Sequence, residues 1–145
     1  MEEIKNNIVD VITTCDTAQF CTFASDKLYP ETRIVANMIN KNNKNINIEN
    51  LILHFMTNKN SNKIQQIKNN NNVCIYYFNQ ETRKAMTLFG SIEIIESMNE
   101  KTKFWNDSWK NFGYIGKYDE NYCVIKFIPK FYKFFIKKEE KYGKL

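Results

Sequence analysis

Between residues 19 and 136 the chain is cut into short apolar runs, each long enough for a strand and too short for a bundle helix. That succession limits it to a small antiparallel β fold. The runs at 19–24, 32–39, 51–56, 73–78, 84–95, 122–128 and 131–136 read as strands, the last two parted by Pro129. Gly90, near the middle of the 84–95 run, predicts a bend or bulge. The run at 73–78 is apolar on both faces, so both should be covered, by the core or by an interface. Helices are expected at 2–14, where Ile4, Ile8, Val11 and Ile12 share a face, at 61–68 behind an N-cap at Ser61, and at 99–112. Strands that follow one another, about six or seven of them, with helices outside, describe a mainly β chain rolled into a small barrel. Residues 1–145 read as a single domain, with no internal repeat.

Composition excludes several classes. At 43% hydrophobic and 14% aromatic, with only 4 Gly and 2 Pro, the chain is too apolar for disorder. A net charge of +5 is weak grounds for a nucleic-acid partner, and much of it sits in Lys137, Lys138, Lys141 and Lys144, which read as a solvated tail. The cysteines Cys15, Cys21, Cys74 and Cys123 form no C-x-x-C, and His54 is the only histidine, which argues against a zinc site. Cys74 and Cys123 lie in apolar runs and read as core thiols. The start, MEEIKNNIVDVI, lacks the layout of a signal peptide, and no apolar stretch approaches membrane-spanning length, so a cytosolic location is expected.

Chemistry concentrates at residues 54–67, HFMTNKNSNKIQQI, where a strand hands over to a helix through Thr57, Ser61 and Lys63. A helix N-terminus offers free N–H groups, and a lysine in its first turn opposes the helix dipole unless an anion is there. The segment is therefore a capped turn or an anion seat. Arg33 and Asn37 interrupt an apolar strand, and Lys84 opens another; each is either solvated or aimed at a ligand. Phe104, Trp105, Trp109 and Phe112 form a stripe that suits a helix's buried face, a dimer interface or the wall of a pocket for a planar ligand. His54 sits in an apolar strand and reads as structural. No G-x-S-x-G, P-loop or G-x-G-x-x-G occurs.

R-I-V-A-N-M at 33–38, F-M-T-N-K-N-S-N-K at 55–63 and N-N-V-C-I-Y-Y-F at 71–78, followed by G-S-I-E-I and V-I-K-F-I-P-K-F-Y-K-F-F, resemble the pyridoxamine 5′-phosphate oxidase-like flavoproteins, in particular the general stress protein 26 branch. The resemblance implies a split β-barrel that dimerises with FMN between subunits. It implies that the strand Arg33, Ile34, Val35, Ala36, Asn37, Met38 runs along the isoalloxazine ring, and that Thr57, Ser61, Asn62 and Lys63 hold the phosphate with Met56 beside the ring. Lys84, where full oxidases carry Gln, and Trp109 are expected near the flavin. The chain departs from those oxidases in having Asn62 where they carry Arg, and in lacking their C-terminal Trp and H-x-R segment, so oxidation of a vitamin B6 phosphate is not expected. The implied activity is an FMN-dependent oxidoreductase, with NAD(P)H or a small molecule as electron donor. The alternatives are a non-catalytic flavin carrier or sensor, and a barrel stacking single-stranded nucleic acid on Tyr76, Tyr77, Trp105 and Trp109.

Overall fold

The computed structural model describes residues 1–26, 28–37, 39 and 45–145. Among these residues eight strands form one antiparallel sheet: β1 Thr17–Phe23, β2 Pro30–Ala36, β3 Ile46–Asn47, β4 Ile52–Asn58, β5 Asn72–Phe78, β6 Ala85–Ile95, β7 Tyr122–Ile136 and β8 Glu139–Lys144. Their order is β2-β1-β5-β6-β7-β4-β3, with β8 pairing β7 off that path. Helix α1 Glu2–Thr14 buries Ile8, Val9, Val11 and Ile12, the face that its sequence period marks out. Helix α2 Asn62–Asn69 inserts Ile64 and Ile67 into the same core, beside Phe20, Leu53, Ile75, Leu88 and Phe127.

Three expectations need correction. The runs at 122–128 and 131–136 are one strand. Pro129 sits opposite Gly90, the register slips between Phe89 and Gly90, and Lys130 is left over as a bulge. A Cβ on residue 90 would collide with the Ile128 carbonyl oxygen and come within 2.9 Å of Pro129 Cα, so only glycine lets the strands pass this close. Along its other edge β7 pairs β4 up to Phe127 and β8 from Phe131 onward. The basic tail is therefore a strand and not a solvated extension. It is joined to β7 by Lys137 and Lys138 at φ 50 and 68, the left-handed pair that a tight two-residue hairpin demands.

The expected helix at 99–112 is broken. A single α turn, α3 Met98–Lys101, runs into the 3₁₀ turn Thr102–Phe104, and a second 3₁₀ turn, Asp107–Phe112, is capped by Asn106 and closed by Gly113 at φ 94. Its aromatics build a second core in which Trp105, Trp109 and Tyr114 surround Tyr122 with ring centroids 5.1, 5.8 and 5.9 Å away. Buried Lys101 locks this cluster: its ammonium donates to Tyr122 O at 2.7 Å, and the Tyr122 hydroxyl donates to Lys101 O at 2.9 Å. No helix among the described residues is long and apolar enough to cross a membrane.

Candidate functional site

Strands β2 and β4 stand near opposite ends of the sheet order, yet both line one cavity of about 300 Å³. The sheet is thus rolled, and the cavity lies along the seam where its ends meet without pairing. Arg33, Ile34, Val35 and Ala36 form one side, and His54 to Asn58 the other. Lys63 on α2 closes one end, and Phe112 and Tyr114 cover it from the aromatic cluster. Among the described residues β2 pairs only with β1, and its outer edge keeps backbone N–H and C=O groups that no other described strand takes up along this wall.

At the α2 end, Lys63 Nζ donates to Thr57 Oγ1 at 2.5 Å and to Ser61 Oγ at 3.3 Å. Both partners are neutral. Burial lowers the ammonium's pKa, and the nearby Arg33 guanidinium lowers it further. Ser61 occupies the N-cap without making a side-chain cap bond, so its hydroxyl is left to the lysine and to any ligand. A desolvated cation with neutral hydroxyls, a second cation and a helix N-terminus around it is an environment that an anion completes.

Arg33 is neither solvated nor loose. Its guanidinium donates to Thr22 Oγ1 at 2.8 Å, to Gln66 Oε1 at 2.8 Å and, at 3.3 Å, to Glu31 Oε2, with which it pairs. Gln66, only 1% exposed, also accepts from Thr22 at 2.5 Å and donates to Glu31 at 2.8 Å. Thr22, Glu31 and Gln66 thus fix the guanidinium, and the sequence did not single them out. A cue was present: Thr22 is in phase with buried Ala18 and Phe20, and Gln66 adjoins Ile67 on the buried face of α2.

The other expected residues divide. Met56 and Thr57 line the cavity. Asn62 is exposed and is not a lining residue. Asn37 turns inward and donates to Ile12 O and Cys15 O, each at 2.6 Å, tying down the end of α1. Met38 lies outside the described residues. Lys84 pairs with Asp10 at 3.8 Å and is absent from the lining. Trp109, 1% exposed, belongs to the aromatic core; Phe112 and Tyr114 take the wall position expected of it. His54 also faces the cavity, its ring stacked on Phe104 at 4.2 Å, and burial followed by Lys126 lowers its pKa, so it is neutral at pH 7. No group of three or more His, Cys, Asp or Glu among the described residues could hold a metal.

The fold and cavity have parallels among solved structures. A protein related to general stress protein 26 from Clostridium acetobutylicum superposes with a TM-score of 0.84 at 16% identity, over 100% of this chain and 96% of that one. General stress protein 26 of Bacillus anthracis str. Sterne gives 0.74 at 24% identity, over 99% of both chains. A pyridoxamine 5′-phosphate oxidase-related, FMN-binding protein from Nostoc punctiforme PCC 73102 gives 0.65 at 13% identity, over 97% of this chain and 90% of that one. No curated protein sequence matches the chain significantly. These likenesses identify the architecture as the split barrel expected from the sequence. The model of the pyridoxamine 5′-phosphate oxidase like family matches residues 3–142, and the chain belongs to that family.

Proposed function

We propose that the seam cavity holds FMN and that the chain acts as a homodimeric, FMN-dependent oxidoreductase. The observation that carries this reading is Lys63, a half-buried cation held by two neutral hydroxyls at a helix N-terminus. Thr57, Ser61 and Lys63 would hold the phosphate. The free edge of β2 from Arg33 to Ala36 would face the planar ring, whose heterocycle offers both donors and acceptors, with Met56 beside it. The bound flavin would supply the hydride and electron chemistry. The chain's part is to hold the Arg33 charge in a fixed place through Gln66 and Glu31, and to exclude water with Phe112 and Tyr114. Lys84 enters the proposal only through a second copy of the chain, since in its own chain it pairs with Asp10.

A second copy suits the outer face of the sheet, where Phe23, Tyr76, Phe78, Phe89, Phe131 and Phe135 are each between 36% and 50% exposed. That face extends the outer side of β5, whose apolar residues need a cover. Nucleic-acid stacking fares worse, because Tyr77 and Trp109 are buried and cannot meet a base. A flavin carrier without turnover remains the competing reading. His54, neutral and stacked, is the one ordinary acid–base side chain on the wall besides the two cations and Tyr114.

The test is spectroscopic. The purified protein should bind FMN with a dissociation constant well below that for riboflavin, and NAD(P)H should bleach it anaerobically. No uptake of either flavin at micromolar concentration would overturn the assignment. Uptake without bleaching by any donor would favour the carrier. Light scattering at micromolar concentration should report a dimer.

A further inference from the structure

A second cavity, of about 370 Å³, opens on the outer face of the sheet, away from the proposed cofactor site. Its lining includes Phe23, Pro30, Val73, Phe89 and Phe131, with Lys130 as its one charged residue, and two cysteines, Cys21 and Cys74, share its wall. Cys74 was expected in the core; the structure puts it on this outer face, half-buried and directly across the β1–β5 ladder from Cys21. Residues paired in an antiparallel ladder have Cα atoms about 4.5–5.5 Å apart. A disulfide accepts Cα separations of about 4.4–6.8 Å, so bridging needs no backbone rearrangement. The Cys21 side chain acts directly on the Cys74 thiol, raising its pKa. The other cysteines have no such partner: Cys123 is paired across its ladder with Thr57, and Cys15 caps α1.

We propose that Cys21 and Cys74 are a site of oxidative modification at which a hydroperoxide closes an intrachain disulfide. One sulfur attacks the peroxide, forming an S–O bond as the O–O bond breaks and water or an alcohol leaves. The second sulfur attacks the resulting sulfenic acid, forming S–S as water leaves. The thiols lose two electrons and two protons, and the peroxide is reduced. Burial, and then Cys21, raise the Cys74 thiol's pKa, so the pair reacts slowly unless a hydroperoxide is supplied. Geometry makes the second step intramolecular. Both sulfurs belong to one chain, so the bond needs neither the flavin nor a second copy; their cavity opens on the face proposed for the partner, and a dimer should slow the peroxide without changing which thiols pair.

The bond would have a structural effect. Strand β1 pairs β5 through only three residue pairs, Gln19–Tyr76, Phe20–Ile75 and Cys21–Cys74. Through that short ladder the β1–β2 ribbon, which carries Arg33 and one wall of the seam cavity, joins the centre of the sheet. A covalent clip at its end would raise the melting temperature by roughly 5–10 °C.

The full-length protein is treated with hydrogen peroxide, and its mass and tryptic peptides are compared before and after. The expected result is loss of two hydrogens, a Cys21–Cys74 linked peptide, reversal by dithiothreitol, and no modification of Cys15 or Cys123. The Cys74→Ser and Cys21→Ser variants, each lacking a resolving thiol, should accumulate a sulfenic acid on the cysteine that remains, which a dimedone-type probe labels. Stable sulfenic or sulfinic acid on the wild type without a bridge would overturn the proposal. So would a bridge between two chains, or no labelling of either variant.

Discussion

Lys63→Met removes one charge and little volume, and its consequences differ for the empty and the loaded protein. The ammonium makes two short contacts to hydroxyls and none to a carboxylate. Toward a phosphate it would supply a charge-assisted hydrogen bond, worth about 1.5–3 kcal/mol. FMN affinity should then fall roughly 10- to 150-fold. Riboflavin, with no phosphate, should lose less than about twofold, since the ring is assigned to the β2 edge. The empty protein should move the other way. A lysine whose pKa is lowered in the folded state destabilises that state while charged, and methionine removes the cost. Urea melts without flavin should therefore give a midpoint equal to or above that of the wild type. Fluorescence titration with both flavins checks the first part. Equal weakening of FMN and riboflavin, or no change in FMN, would refute the phosphate assignment of Lys63.

Gln66→Leu leaves the Thr22 hydroxyl and Arg33 short of an acceptor and should cost about 1–3 kcal/mol in urea unfolding, with weaker flavin binding; no loss would mean the network is dispensable. Replacing Lys137-Lys138 by Asn-Gly relieves two left-handed lysines and should stabilise the protein by about 1 kcal/mol or more; a lower unfolding midpoint would contradict the turn geometry. Cys123 is buried, and burial raises its thiol from 9.0 to about 11. Its stabilising effect is complete below pH 9 and is lost as the unfolded thiol ionises between pH 9 and 11, a difference of about 3 kcal/mol. Cys123→Ala should flatten the fall of stability across that range, and an unchanged slope in pH-dependent urea melts would show that other groups govern it.

The sequence shows the elements whose side-chain period is uninterrupted. Helix α1 and strands β5 and β6 fall within a residue or so of their expected bounds, because one face of each is apolar and its ends are polar. It hides the elements that depend on distant partners. Lys137-Lys138 carries none of the Asn or Gly that usually marks a tight hairpin, so β8 was invisible; it forms because β7 already presents an edge to pair with. The break at Trp105 and Asn106 follows from the demand that two indoles reach Tyr122, which outweighs helical continuity. At the cavity, Lys63 stands out because it contradicts the dipole of its own helix. Gln66 and Thr22 do not, since a buried polar side chain is recognisable only when its partner, more than forty positions away, is known.

Strand β8 has a consequence for how the molecule keeps to itself in a crowded solution. From Phe131 to Ile136, β7 carries four large apolar side chains and a backbone edge that β4 has already left. Bare, that edge would template the addition of strands from other chains. β8 covers it, and the edge it presents in turn, Glu139, Glu140, Lys141 and Lys144, is dense in charge. The remaining margins are similarly uninviting: β3 is two residues long, and β2 opens with Pro30 and Glu31. The lysine-rich end of the chain thus acts as a selvage, keeping an aromatic sheet from unravelling into fibres.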